Sequence, residues 1–125
     1  LQKKYDLLLE DLPIIKPYQD KDSYSALHLY PIQIDLNSTK KSRKQVFNEL
    51  RKKNISVNVH YIPIYSHPYY EKFDFSNEIL PIAENYYNRA ISIPLFSIMT
   101  SLQQNTVEQA LLSIFKLNNK SETIL

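Results

Sequence analysis

Apolar residues recur along this chain with two different periods, and the local period predicts either a helix or a strand. Over residues 1–12 the period is that of an amphipathic helix, which Pro13 is expected to end because proline cannot continue the helical hydrogen-bond ladder. The stripe residues, at i, i+3, i+4 and i+7, are Tyr5, Leu8, Leu9 and Leu12. A short extended piece at 14–18 and a polar loop at 19–23 are expected to follow.

Alternation of apolar and polar residues predicts three strands. The first lies within 24–36, where Pro31 indicates a sheet edge or a bulge because proline cannot donate a ladder hydrogen bond. The second covers 57–61, and the third covers 90–96 with a turn at Pro94. In the first strand, the residues expected to face the core are Tyr30, Ile32, Ile34 and Leu36.

Capping signals predict three further helices. Residues 37–39, Asn-Ser-Thr, offer N-caps for the first, and Asn54 stands where a helix often places glycine after its last turn. Pro81 suits the first turn of the second helix, and residues 100–103, Thr-Ser-Leu-Gln, form a capping box for the third. The buried stripes of the first and third are Val46, Phe47 and Leu50, and Val107, Ala110, Leu111, Ile114 and Phe115.

The resulting order is helix, strand, helix, strand, helix, strand, helix, which is typical of an α+β domain. We predict a small, mainly antiparallel sheet with the helices around Val46 and Leu111 packed on one face. The reason is that each helix has one apolar stripe and each strand has one apolar face.

Side chains that can bind or react are most concentrated in residues 57–70, which contain two imidazoles and four phenols. If Val57 and Tyr61 face the core, then His60 faces away, because side chains alternate along a strand. Pro63 ends the strand, and a loop held by a rigid strand is a common place for a binding site. A half-buried edge of the core is the alternative interpretation of the same residues.

Composition and charge exclude several classes of function. With 125 residues the chain makes one domain, and its net charge of +2 is too small to indicate nucleic-acid or membrane binding by itself. The absence of cysteine excludes disulfides and a cysteine nucleophile, and the absence of glycine excludes Gly-rich phosphate loops within this chain. The absence of a long apolar run and of a signal-like start predicts a cytoplasmic location. Because residues 1–4 read as the interior of a helix, we expect a piece of a longer protein or a processed product.

A basic helix leaves a nucleic-acid-binding domain as one hypothesis. Its cations are Lys40, Lys41, Arg43, Lys44, Arg51, Lys52 and Lys53. No aromatic residues interleave with these charges, which favours an ordinary solvated helix face. The imidazoles of His28, His60 and His67 have no metal-ligand spacing, and no nucleophile–base pair stands out, so neither a metal site nor a catalytic residue is predicted.

Six short blocks lie in a fixed order along the chain. They are residues 28–32 (HLYPI), Arg43 with Phe47, residues 59–65 (VHYIPIY), 68–70 (PYY), 91–96 (ISIPLF) and 99–100 (MT). Over roughly residues 1–116 this set resembles the C-terminal small domain of the DegT-type nucleotide-sugar aminotransferases, which are pyridoxal-phosphate enzymes. The most similar branch aminates a UDP-linked 4-keto-6-deoxy-N-acetylhexosamine in the pseudaminic-acid pathway, and the spore-coat-polysaccharide aminotransferases are close to it.

The resemblance implies the small domain of the aspartate-aminotransferase fold over residues 1–125, with 1–12 as the end of an interdomain helix. It also implies an absent large domain that carries pyridoxal phosphate, its Schiff-base lysine and the carboxylate at its pyridine nitrogen. No lysine here matches the family's lysine motif, so the chain alone should bind no cofactor and should not transaminate. Carried over by position, His60 and Tyr61 would face the sugar nucleotide or the cofactor, with Tyr65 next to them; we predict all three as substrate-binding residues.

Two positions depart from the family pattern. Many members have histidine where Tyr65 stands, and Asn54 replaces a usual glycine. The alternative hypothesis is therefore a non-catalytic structural or interaction module from a split or decayed aminotransferase gene. As partners we expect the large domain or a separate chain that bears it, a nucleotide sugar and further copies of the chain in a homo-oligomer, and neither nucleic acid nor a membrane.

Overall fold

The fold is known from a computed structural model that describes residues 1–73 and 80–119. The helices are α1 (Gln2–Leu8), α2 (Arg43–Lys52), α3 (Pro68–Glu71), α4 (Pro81–Tyr87) and α5 (Ser101–Asn119), with a 3-10 turn at Ile64–Ser66. The strands are β1 (Ile14–Ile15), β2 (Tyr30–Ile34) and β3 (Ala90–Ile93). The extended piece predicted after Pro13 is a strand in the structure, whereas the described residues 57–61 do not form the predicted strand.

The strands form one antiparallel sheet in the order β1–β2–β3. Tyr30 pairs with Ile93, and Ile32 pairs with Ile91. Paired residues point to the same side of a sheet, so these four side chains share one face, and all of them are buried. The predicted α+β fold with a small antiparallel sheet is confirmed.

Pro31 lies in the middle strand without breaking it. Its partner Ser92 uses both backbone groups to pair with Asn58 on the far side of β3, at 2.8 and 3.1 Å. Pro31 and Ser92 therefore form a non-hydrogen-bonded pair, which needs no N–H from Pro31. On the other side, β1 pairs with Gln33 and Ile34, beyond Pro31, so the proline occupies a local edge as predicted.

The apolar stripes of α2 and α5 pack together in the core beside the sheet. The buried members are Val46 and Leu50 of α2 and Val107, Ala110, Leu111, Ile114 and Phe115 of α5. Helix α1 joins them through Tyr5, whose hydroxyl donates to the Pro94 carbonyl at 2.9 Å, and Leu9, which caps the helix, is also in the core. One continuous core thus holds three helices against the strands. The predicted stripe of α5 is confirmed, and that of α2 is confirmed with Phe47 partly buried.

Helix α2 begins later than predicted. Its N-cap is Ser42, which accepts the N–H of Gln45 and forms a capping box with the Gln45 side chain. Of the predicted caps at 37–39, Ser38 donates its hydroxyl to Asp35 at 2.5 Å. The predicted N-cap was therefore wrong because Asp35 draws those residues into a separate turn after β2.

The end of α2 agrees with the prediction for Asn54. This residue has φ of 60°, a conformation that costs most residues energy but that asparagine tolerates. The Asn54 N–H donates to Arg51 and the Ile55 N–H donates to Leu50, which completes a Schellman motif. Asparagine here replaces the usual glycine and lets the chain turn toward residues 57–61.

Two further predicted element boundaries were wrong. Helix α1 ends at Leu8, before Pro13, because Lys16 donates to the Asp6 carbonyl at 2.8 Å and the chain turns through residues 9–12. Leu12 is buried nevertheless. Leu36, expected in the core, is 51% exposed because β2 ends at Ile34.

Candidate functional site

In the described chain, the backbone of residues 57–61 pairs with the sheet at one bridge, between Asn58 and Ser92 of β3. The side-chain Oδ1 of Asn58 accepts the N–H of Val59 at 3.0 Å, which removes that N–H from any ladder. Pro63 has no N–H to offer. The predicted strand was therefore wrong, although the segment is anchored to the sheet.

Because no strand forms, Tyr61 does not share a buried face with Val57. Val57 is buried, whereas Tyr61 is 69% exposed. The peptide bond between His60 and Tyr61 is cis. The two rings meet edge to face with 4.6 Å between their centroids. His60 and Tyr61, two of the three predicted substrate-binding residues, are therefore in direct contact.

His60 is half-buried and is held by one of its two ring nitrogens. Its Nδ1 lies 2.8 Å from Oγ of Ser92, a buried residue at the middle of β3. Across the described parts of the chain, Nε2 of His60 has no hydrogen-bond partner. The imidazole thus has one nitrogen fixed by the sheet and the other available to a ligand.

Tyr65, the third predicted residue, lies in the 3-10 turn and is tied to α4. Its hydroxyl donates to Oε1 of Glu84 at 2.6 Å. This bond to a carboxylate, followed by desolvation, raises the pKa of Tyr65 to about 12. Within residues 1–73 and 80–119, no ring contact or hydrogen bond joins Tyr65 to His60 or Tyr61, so the structure does not bring all three together.

A groove of about 500 Å³ opens between the sheet, α2 and the segment that contains His60. Its polar lining residues are His28, Arg51, Ser56, Asn58, His60 and Ser92. Its apolar lining residues are Leu29, Phe47, Val57, Ile93, Pro94 and Leu95. Mixed walls of this kind bind ligands that carry both polar groups and apolar faces.

The charges around the groove favour a ligand rich in oxygen. Arg51 supplies a permanent positive charge, and His60 supplies a ring nitrogen without a partner in the described chain. The described lining contains no carboxylate, so nothing there repels an anion. Phosphate oxygens and sugar hydroxyls are therefore the groups that this surface fits best.

The lining does not suit pyridoxal phosphate. That cofactor is held by a lysine that forms a Schiff base and by a charged partner at its ring nitrogen, commonly an aspartate. Among the described lining residues there is neither a lysine nor a carboxylate. These residues therefore do not form a cofactor site by themselves.

No group of three or more His, Asp or Glu side chains in the described parts is placed to hold a metal ion. No described helix is long and apolar enough to cross a membrane.

Three residues of the site were not predicted from the sequence. Ser92 left a weak signal, since it is a small polar residue between two isoleucines in an apolar strand. Arg51 was hidden among the other cations of its helix, and Glu84 left no local signal because its contact with Tyr65 spans 19 residues. Only the folded arrangement shows these partners.

Comparison with known proteins identifies the family. The profile of the DegT/DnrJ/EryC1/StrS aminotransferase family matches residues 1–112. The spore coat polysaccharide biosynthesis protein SpsC of Bacillus subtilis (strain 168) is 34% identical over 116 residues, which are 90% of this chain and 30% of that protein. The UDP-4-amino-4,6-dideoxy-N-acetyl-beta-L-altrosamine transaminase of Helicobacter pylori (strain ATCC 700392 / 26695) is 30% identical over 114 residues, again 90% of this chain and 30% of that protein. The chain thus spans 30% of the length of these relatives.

Solved structures agree with the sequence match. Helicobacter pylori PseC, an aminotransferase involved in the biosynthesis of pseudoaminic acid, aligns with a TM-score of 0.81 at 26% identity, over 93% of this chain and 31% of that chain. DesV of S. venezuelae, solved with a ketimine intermediate, has the same fold, with a TM-score of 0.78 at 23% identity over 90% of this chain and 29% of that chain. From its sequence and its fold alike, the chain belongs to the DegT/DnrJ/EryC1/StrS aminotransferase family.

Proposed function

We propose that this chain is the small domain of a sugar aminotransferase that aminates a UDP-linked 4-keto-6-deoxy amino sugar for a surface glycan. The observation that carries the proposal is the match over 90% of the chain to SpsC and to the H. pylori transaminase. Their names state polysaccharide biosynthesis for one and a UDP-linked amino sugar for the other. Because this chain spans 30% of each, the cofactor is assigned to a large domain or a partner chain that this sequence does not include.

His60, Tyr61 and Tyr65 are the residues to which we assign contact with the substrate. His60 offers Nε2, and Tyr61 offers an exposed ring face and hydroxyl beside it. Tyr65 donates its own proton to Glu84, so its oxygen is left to accept a hydrogen bond from a sugar hydroxyl. Phenols and an imidazole can form hydrogen bonds with sugar hydroxyls or phosphate oxygens without heavy desolvation.

The division of labour follows from the chemistry of the two parts. Pyridoxal phosphate, when bound by the other domain, supplies the electron sink for the reaction. The residues of this chain bind the nucleotide sugar, orient its keto carbon and keep water from one side of the cleft. Orientation of this kind is a large part of enzymatic rate enhancement, so a domain without a catalytic residue still affects turnover.

The test uses a full-length protein that contains this chain together with the cofactor-binding part. Supplied with an amino donor and the UDP-linked 4-keto-6-deoxy-N-acetylhexosamine, it should form the 4-amino sugar, detected by mass spectrometry. UDP-N-acetylglucosamine, which has no keto group, serves as the matched substrate control and should stay unchanged. A cofactor-loaded protein that aminates only small keto acids would overturn the proposal.

The isolated chain provides a second test. Mixed with pyridoxal phosphate and borohydride, it should not acquire one cofactor per chain at a single lysine, because the groove's described lining contains no lysine. Stoichiometric labelling of one lysine, mapped by peptide mass spectrometry, would show that this chain holds the cofactor itself.

An interaction module without a catalytic role is the second candidate. Exposed apolar residues favour it: Ile64 is 67%, Tyr69 is 65% and Ile82 is 87% exposed. Such surfaces commonly mark an interface. In that case the chain binds a large-domain chain in size-exclusion chromatography, while substitutions of His60 leave nucleotide-sugar turnover unchanged.

A further inference from the structure

Ser92 stands out because it is polar, buried and directed toward the site. Only 6% of its surface is exposed, and both of its backbone groups are bonded to Asn58. Its neighbours Ile91 and Ile93 face the core, so its own side chain points to the other face of the sheet. There its hydroxyl lies 2.8 Å from Nδ1 of His60, its hydrogen-bond partner in the described part of the chain.

The proton between Oγ of Ser92 and Nδ1 of His60 can be bonded to either atom. One of these two arrangements leaves fewer polar atoms without a hydrogen-bond partner. A distance of 2.8 Å is that of a direct hydrogen bond, so one proton lies between Oγ and Nδ1. If Nδ1 carried that proton, the hydroxyl proton of Ser92 would be buried without an acceptor among the described residues. If Nδ1 is unprotonated, the hydroxyl donates to it and both groups are satisfied, as buried polar groups almost always are.

We propose that Ser92 is a positioning residue that keeps Nδ1 of His60 unprotonated and thereby places the imidazole proton on Nε2. His60 then meets a ligand as a neutral hydrogen-bond donor, and the acceptor is an oxygen such as that of a phosphate or a sugar hydroxyl. The other tautomer would present a bare nitrogen, which repels the lone pairs of an oxyanion. The use of this donor on a nucleotide sugar rests on the proposed function, whereas the position of the proton does not.

Nitrogen NMR of the 125-residue chain measures the tautomer directly. With ¹⁵N-labelled histidine at about pH 8.5, where imidazoles as a class are neutral, long-range ¹H–¹⁵N spectra distinguish bare from protonated ring nitrogens. We expect Nδ1 of His60 to resonate as a bare nitrogen and Nε2 as an N–H. His28 and His67, both exposed, provide internal references in the same spectrum. A protonated Nδ1 at His60 would overturn the proposal.

Variants test whether Ser92 is the cause. In Ser92→Ala, the nitrogen shifts of His60 should move to the averaged values shown by His28, and Ser92→Thr, which keeps the hydroxyl, should restore them. Ser56→Ala is the matched control, because Ser56 also lines the groove but makes no described hydrogen bond to His60. Shifts of His60 that are unchanged in Ser92→Ala would contradict the assignment. If Ser92→Ala does not fold, the spectrum of the unsubstituted chain still decides the question.

Kinetics of the full-length protein separate this inference from the proposed function. Ser92→Ala should raise KM for the nucleotide sugar about fivefold and change kcat little, because one neutral hydrogen bond loses its fixed geometry. Ser92→Thr should remain close to the unsubstituted protein. The proposed tautomer in a protein that aminates no sugar would refute the function and keep the inference. A protonated Nδ1 in a fully active enzyme would do the reverse.

Discussion

Two groups of tyrosines in this chain lie in opposite surroundings. Tyr5 and Tyr30 are fully buried, and their rings are in tilted contact with 5.1 Å between centroids. Tyr61 and Tyr69, in the segment that follows the sheet bridge, are 69% and 65% exposed. The first pair lies in the core, whereas the second lies where a ligand or another chain can reach it.

The hydroxyls differ as much as the rings. In the core, Tyr5 donates to the Pro94 carbonyl and Tyr30 donates to Asp6 at 2.6 Å, so both phenols are used within the fold. Burial raises the pKa of each, and the bond to Asp6 raises that of Tyr30 further. The Tyr61 hydroxyl has no such partner in the described chain. A tyrosine therefore stabilises the fold or serves a site according to what surrounds its hydroxyl, which residue type alone does not reveal.

The same truncation in both groups should have very different effects on stability. Tyr30→Ala should lower the free energy of unfolding by about 3–5 kcal/mol, because a buried aromatic ring is lost and a cavity remains. Tyr61→Ala should change it by less than about 0.5 kcal/mol, because the ring is exposed. Urea unfolding followed by circular dichroism measures both. Similar losses in the two variants would place residue 61 in the core and contradict the comparison.

Removal of the hydroxyl alone gives a smaller effect. Tyr30→Phe should cost about 1–2 kcal/mol, since Asp6 then loses a hydrogen bond while the ring packing is kept. Tyr61→Phe, the matched control, should be neutral within about 0.5 kcal/mol. The same unfolding measurement applies. A neutral Tyr30→Phe would show that the bond to Asp6 adds nothing beyond what water supplies in the unfolded chain.

The smallest expected effect concerns pH and the hydroxyl of Tyr65, which donates to Glu84. The bond to Glu84 favours the protonated phenol and raises the pKa of Tyr65 to about 12, above the ordinary value of about 10. Its contribution to stability is therefore complete below about pH 10 and is lost as the pH rises through about 12.

Glu84→Ala should lower the pKa of Tyr65 toward the ordinary tyrosine value. The measurement is ¹³C NMR of labelled tyrosine rings during an alkaline titration, with Tyr65→Phe used to assign the resonance. Glu108→Ala, a carboxylate removed from α5 instead of α4, is the control and should leave the titration of Tyr65 unchanged. An unaltered Tyr65 curve in Glu84→Ala would mean that the two side chains are not bonded in solution.

The elements predicted well were those with local causes. The stripe of α5 was predicted because its spacing repeats along one helix, and the helix end at Asn54 was predicted because a positive φ selects few residues. The strand at 57–61 was predicted wrongly because strand pairing depends on distant partners. Alternation was present, but the Asn58 side chain accepts the N–H of Val59, and among the described residues the segment's backbone pairs with the sheet at one bridge, to Ser92.

In the site, too, residues with a local sequence signal were predicted and their distant partners were not. His60, Tyr61 and Tyr65 were predicted from a motif whose order resembles a family, and their assignment to a substrate stays a prediction. The partners that hold two of them, Ser92 and Glu84, lie 32 and 19 residues away along the chain. Such contacts have no local sequence signal, so they became visible only in the folded chain.

The most direct test of the assigned site is a comparison of two histidines in the full-length protein. His60→Ala should lower kcat/KM for the UDP-linked keto sugar roughly 10- to 150-fold, the scale of one lost hydrogen bond to a charged group. The absorbance of the bound cofactor and the urea midpoint should remain nearly unchanged. His67→Ala, an exposed imidazole outside the groove lining, should leave kcat/KM near that of the unsubstituted protein. Unchanged kcat/KM together with lost stability in His60→Ala would make His60 a structural residue and contradict the account.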